Sequence, residues 1–95
     1  PAYFFLLAEQ LAQNGTRLGL EPATAHRLAV ATLYGAGCLA SLGDGDLARL
    51  RAEVTSKGGT TEAALRSLEL AQFGDVVAAA VDAAVQRGRE LAEVA

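Results

Sequence analysis

Apolar positions recur at helical spacing from one end of the chain to the other. No segment alternates apolar and polar residues for long enough to make a strand. Phe4, Leu7, Ala8 and Leu11 lie on one helix face, and Asn14-Gly15 is a stop signal that predicts the end of a first helix there. Glu21-Pro22 opens a second helix, because a proline in the first turn has no needed N–H to lose. Its inward stripe reads Ala25, Leu28, Ala29, Thr32, Leu33, Ala36 and Ala40, mostly small residues that suit close helix contact. Gly43-Asp44-Gly45 ends it.

Asp46 can cap a short third helix running to about Glu53, with Leu47 and Leu50 on its inner side. Val54-Thr55-Ser56-Lys57-Gly58-Gly59 reads as a linker. Thr60 or Thr61 then caps a fourth helix, predicted to reach about Gln72 before Gly74 breaks it. Asp75 can cap a fifth, whose stripe is Val77, Val81, Ala84, Val85, Gly88 and Leu91. The prediction is an all-α domain, a five-helix bundle. No internal repeat appears.

Composition narrows the picture. The chain has 95 residues and 9.8 kDa, room for one domain, and 52 % apolar against 20 % charged residues marks it as globular. Net charge is −3 with no basic cluster, which argues against a nucleic-acid partner. The longest uncharged run, Leu28 to Gly43, is too short and too polar to span a bilayer, so no membrane role is expected. One cysteine, Cys38, leaves no internal disulfide and fits a reducing compartment. With one histidine, His26, there is no His/Cys metal set and no metal is expected.

Alanine is the commonest residue, at 21 of 95, and Trp and Met are absent. Such side chains are thin, and a chain this small buries only about 60 to 70 % of its unfolded surface. The apolar surplus predicts cover by a second copy or another domain. The chain opens on Pro1 and runs straight into an apolar helix, so we read it as a piece of something longer.

The segment Thr55-Ser56-Lys57-Gly58-Gly59-Thr60-Thr61 is unlike the rest. Adjacent glycines let the backbone turn and let a ligand approach it, and the following helix offers unpaired N–H groups and the positive end of its dipole. Hydroxyls and the chain's one lysine surround that point, which makes an anion pocket for a carboxylate or a phosphate. For a bare Gly-Gly-Thr before a helix, a plain loop with a threonine cap is the favoured reading. The Gly-x4-Gly-Lys-Ser/Thr spacing of a nucleotide-binding P-loop is absent.

A resemblance tips the balance. The run from Leu47 through Val54-Thr55-Ser56-Lys57-Gly58-Gly59-Thr60-Thr61 to Glu69 is similar to the pyrroline-5-carboxylate reductase family, whose pattern is Val-Thr-Ser-Pro-Gly-Gly-Thr-Thr followed by an Ala-Leu-x-x-Leu-Glu helix. Pro1-Ala2-Tyr3 resembles the end of that family's Gly-Ser-Gly-Pro-Ala-Tyr segment. Gly19-Leu20 matches its Gly-Leu-Pro turn, and Thr32-Leu33-Tyr34-Gly35-Ala36 its Thr-Leu-Leu-Gly-Ala. The resemblance covers residues 1–95 in order, and only as the family's C-terminal domain.

It implies an enzyme that reduces the imine 1-pyrroline-5-carboxylate to L-proline with NADP(H) or NAD(H), the last step of proline biosynthesis in the cytoplasm. The cofactor would be held by an N-terminal Rossmann domain that this chain lacks. The helical domain would interlock with a second copy as an intertwined homodimer; in the family such dimers often gather into decamers, and the sequence leaves dimer or decamer open. By position, the backbone N–H groups of Gly58, Gly59 and Thr60 would hold the substrate carboxylate and Ser56 would line the pocket. Thr61, the catalytic candidate, would set its hydroxyl at the ring nitrogen. Lys57 departs from the family's usual proline and is expected to point to solvent.

Two other readings stay open: an inert helical oligomerisation module of the same fold, and a relative acting on another imine. His26 is expected on a solvated face, Cys38 as a small buried side chain, and Tyr3 and Tyr34 as packing residues.

Overall fold

The computed structural model describes residues 1–94, which form five helices and no strand. Their contacts divide the chain into two units, Pro1–Arg51 and the residues from Ala52 onward. The all-α expectation holds.

In the first unit, α1 (Ala2–Arg17) packs on α2 (Pro22–Ser41). The predicted stop at Asn14-Gly15 is wrong, and both residues explain why. Asn14 Nδ2 donates to the Gln10 carbonyl at 2.9 Å, and its Oδ1 accepts from Arg17 Nε at 3.0 Å, so the side chain satisfies the helix instead of breaking it. Gly15 is a contact residue: a Cβ there would lie 3.2 Å from Ala25 Cβ and 3.3 Å from Leu20 Cδ1. The helix ends instead at Gly19, at φ +113°. Gly19 N–H donates to Thr16 O at 3.1 Å and Leu20 N–H to Gly15 O at 3.0 Å, the paired bonds of a Schellman turn.

Ala25, opposite Gly15, is the one buried apolar residue among those described. Filling this contact should be costly. Gly15→Val is expected to lower stability by about 1–3 kcal/mol through overpacking, whereas in Gly15→Ala a helix-propensity gain offsets the tighter contact. Urea denaturation at one fixed protein concentration checks both.

Helix α2 begins at Pro22 and ends before Gly43-Asp44-Gly45, as its sequence predicts. Along its predicted stripe Ala25 is buried and Ala29, Leu33 and Ala40 are half-buried, while Leu28, Thr32 and Ala36 are exposed. Asp46 caps α3 (Leu47–Glu53): its Oδ1 accepts from Arg49 N–H at 3.2 Å. Asp44 Oδ1 supports the same turn, accepting from Asp46 N–H at 3.1 Å and Arg49 Nη2 at 2.6 Å.

The second unit pairs α4 (Thr60–Leu70) with α5 (Phe73–Val94). Neither threonine caps α4. Gly59 occupies the N-cap, and no side chain bonds to the cap amides. The break before α5 lies at Gln72, two residues ahead of the predicted Gly74. Gln72 is the only non-glycine among the described residues with positive φ, at 61°, and its N–H closes α4 on Glu69 O at 2.9 Å. Its carbonyl accepts from Val76 N–H at 3.0 Å, so the same residue starts α5. Asp75 therefore sits inside the first turn, with its charge facing the helix's positive end.

Large apolar side chains remain exposed on both units, among them Phe4, Phe5 and Leu7 on α1 and Val77, Val81 and Val85 on α5. Cys38, Tyr3 and Tyr34 are exposed too, against the expectation of burial and packing: no element of the described chain covers those faces. No described helix is long and apolar enough to cross a membrane.

Candidate functional site

The residues singled out in the sequence fall in one tight turn leading into α4. Thr55 N–H donates back to Ala52 O at 3.1 Å, which closes the end of α3. Ser56 O then accepts from Gly59 N–H at 3.0 Å and folds the chain over Lys57 and Gly58. That reversal needs the left-handed region at Gly58, where φ is +74°. Gly59 is glycine for another reason. Its own backbone is extended, at φ −91° and ψ −176°, but a Cβ would stand 3.2 Å from Ser56 O and 3.3 Å from Ser56 Cβ.

Two amides in the turn are already engaged. Gly59 N–H is held by Ser56 O, and Gly58 N–H donates to Glu62 Oε1 at 3.1 Å. Gly59 O accepts the first helical bond, from Ala63 N–H at 3.3 Å. The N–H groups of Thr60, Thr61 and Glu62 have no acceptor among the described residues, as expected for a helix start without a capping side chain. These amides and the helix dipole leave the turn ready for an anion.

The Ser56, Lys57, Thr60 and Thr61 side chains are exposed around this point. The turn thus brings Ser56 against Gly59 and sets both threonines on the first turn of α4. Glu62, which the sequence reading passed over, belongs with them. Its carboxylate reaches back to Gly58 and lies 3.7 Å from Arg66 Nη2, one helical turn on. A glutamate three residues past an N-cap is a recognisable signal, hidden here because the cap is a glycine.

No group of three or more His, Cys, Asp or Glu among the described residues could hold a metal ion. A dinucleotide cradle does not fit either. Gly35-Ala36-Gly37-Cys38-Leu39-Ala40 has glycine spacing of the right kind but lies within α2. Gly43-Asp44-Gly45-Asp46 precedes a helix, yet it follows a helix where the fingerprint follows a strand, and its two carboxylates oppose a pyrophosphate. The groove between α1 and α2, about 600 Å³ and lined by Phe5, Leu6, Ala12, Val30 and Leu33, is open and mainly apolar.

Residues 1–91 match the family described as pyrroline-5-carboxylate reductase dimerisation. Pyrroline-5-carboxylate reductase of Pseudomonas aeruginosa is 46 % identical over 93 residues, which is 98 % of this chain and 34 % of that protein. The enzyme of that name from Pisum sativum is 42 % identical over 91 residues, 96 % of this chain and 33 % of its own length. Among solved structures, Plasmodium falciparum pyrroline carboxylate reductase with NADP bound superposes with a TM-score of 0.86 at 32 % identity, covering 92 % of this chain and 35 % of that one. The chain spans about a third of the length of these relatives.

Proposed function

The chain belongs to the pyrroline-5-carboxylate reductase dimerisation family, and from that membership we propose that it is the dimerising, substrate-holding C-terminal domain of an enzyme that reduces 1-pyrroline-5-carboxylate to L-proline. The observation that carries this reading is the Ser56–Thr61 turn, which presents open amides and two hydroxyls at the start of α4. The substrate is a five-membered imine bearing a carboxylate, and the turn offers a match for each group.

The carboxylate binds at the helix start. The Thr60 and Thr61 amides are the open donors, with Gly58 and Gly59 forming the turn behind them and Ser56 at its edge. A carboxylate held by backbone N–H groups at a helix start gains both directed hydrogen bonds and the dipole. Lys57 is exposed and adds one positive charge beside the site. The Thr61 hydroxyl lies one residue beyond the first amide donor and meets the ring nitrogen. During reduction a hydride adds to the imine carbon, and the electron pair of the C=N π bond moves to nitrogen, which becomes an amine. A neutral hydroxyl orients that nitrogen in both states without adding a charge.

The hydride comes from NADPH or NADH held by an N-terminal Rossmann domain in the remaining two thirds of the protein. Among the described residues no strand leads through a glycine-rich turn into a helix, the form a dinucleotide cradle takes. The apolar faces of α1 and α5 meet a second copy in an intertwined dimer, and dimers assemble further into decamers. The enzyme works in the cytoplasm, at the last step of proline biosynthesis.

The test compares the full-length protein with these 95 residues. The full-length protein is expected to oxidise NADPH or NADH only when 1-pyrroline-5-carboxylate is present, and the isolated chain to show no turnover. A full-length protein that self-associates without turnover would instead be an inert oligomerisation module.

A further inference from the structure

Resting on the reading above, we propose that Glu62 is a positioning residue of the carboxylate site, clasping the turn through Gly58 so that the Thr60 and Thr61 amides face the substrate. The turn's own residues restrain its backbone little. It contains adjacent glycines, one of them at φ +74°, and Lys57 before them leaves φ free. Glycine loses more conformational freedom on ordering than any other residue, so an unclasped turn would have to order when the substrate binds.

Glu62 removes that requirement. It stands on the first turn of α4, where the helix backbone fixes its Cα. From there Oε1 takes the Gly58 N–H at 3.1 Å, a hydrogen bond from a helix side chain back to the turn. With the Ser56–Gly59 bond at 3.0 Å, this pins both ends of the reversal. It also occupies Gly58 N–H, so the incoming carboxylate meets the helix-start amides, Thr60 and Thr61 N–H first among them.

A glutamate beside an anion site carries a charge of the wrong sign. Two features offset it: Oε1 faces the Gly58 amide, and Arg66 Nη2 lies 3.7 Å away on the next turn of the same helix. The property that matters is therefore an acceptor of the right reach, and the charge is incidental.

Kinetics on three variants of the full-length protein test this. Glu62→Ala is expected to raise KM for 1-pyrroline-5-carboxylate by about 5- to 30-fold, with kcat changing less than about threefold. The KM for the nicotinamide cofactor should not move. Glu62→Gln keeps an acceptor at the same reach and is expected to stay within about twofold of wild type. Glu62→Asp keeps the charge but is one methylene short, so it should resemble the alanine variant. A role confined to helix stability would shift the melting temperature and leave KM alone.

Wild-type KM in Glu62→Ala overturns the proposal, and so does a Glu62→Gln protein as impaired as Glu62→Ala. If Glu62→Ala does not fold, the comparison of Glu62→Asp with Glu62→Gln decides on the same criterion. A full-length wild type without turnover defeats the underlying functional reading together with this one. The clasp's own failure shows only in an active wild type.

Discussion

Thr61→Ala in the full-length protein is expected to lose about 3- to 100-fold in kcat/KM, with an unchanged melting temperature. The loss follows from removing one hydrogen bond in a partly desolvated site, worth about 0.5–1.5 kcal/mol net and more when a buried partner is left unpaired, at 1.4 kcal/mol per factor of ten. The competing role for Thr61 is as a helix cap, where its removal would cost about 1 kcal/mol of stability and little activity. The structure separates the two in advance. Gly59 is the N-cap of α4 and no side chain bonds to it, so the Thr61 hydroxyl has no structural bond to lose. Thr61→Ser should retain most activity because the hydroxyl survives. Thr60→Ala should cost less than Thr61→Ala, since the proposal uses only its backbone N–H. A Thr61→Ala enzyme with normal efficiency would remove this residue from the mechanism.

The second large effect concerns association. Light scattering at micromolar concentration is expected to show these 95 residues as a dimer or larger, and Val81→Asp to break that assembly. Val77, Val81 and Val85 succeed one another at single-turn spacing on α5 and are each at least 40 % exposed in the single chain. Obligate interfaces of this kind bury more than about 2,000 Å². An unpaired carboxylate at its centre should cost at least about 3 kcal/mol, which is more than a hundredfold in dissociation constant. A stable folded monomer of the wild-type chain would defeat the expectation.

The helices themselves were legible in the sequence because apolar residues recur at helical spacing along each of them. The openings of the second and third helices were equally plain: Pro22 acts through its own ring-fixed φ and Asp46 through a bond to Arg49 N–H within one turn. Endings were harder. Asn14-Gly15 carries a stop signal, but Gly15 is glycine because Ala25 approaches it, a contact with a residue ten positions away that no local rule contains. Gln72 takes the left-handed conformation two residues before the glycine that seemed made for it, and nothing in the structure explains that preference. The turn at Ser56–Thr61 was visible as a whole, through its glycines and hydroxyls. Which amides it leaves open was not, because that depends on where Gly59 N–H and the Glu62 carboxylate point. Burial of Cys38 and Tyr34 was misjudged for a related reason: periodicity says that a face is apolar and not which chain covers it.

The pairing of helices that are neighbours in sequence, α1 with α2 and α4 with α5, also governs the order of events in time. Contacts between sequence neighbours close short loops, so each helical hairpin can form in microseconds to milliseconds without waiting for distant parts of the chain. Covering the remaining apolar faces is a different kind of step, because it needs a second chain and its rate scales with concentration. A newly made copy therefore passes through an interval in which its hairpins exist and its faces are bare. The length of that interval is set by how many like chains are nearby, so dilution lengthens the time each copy spends with its apolar faces bare.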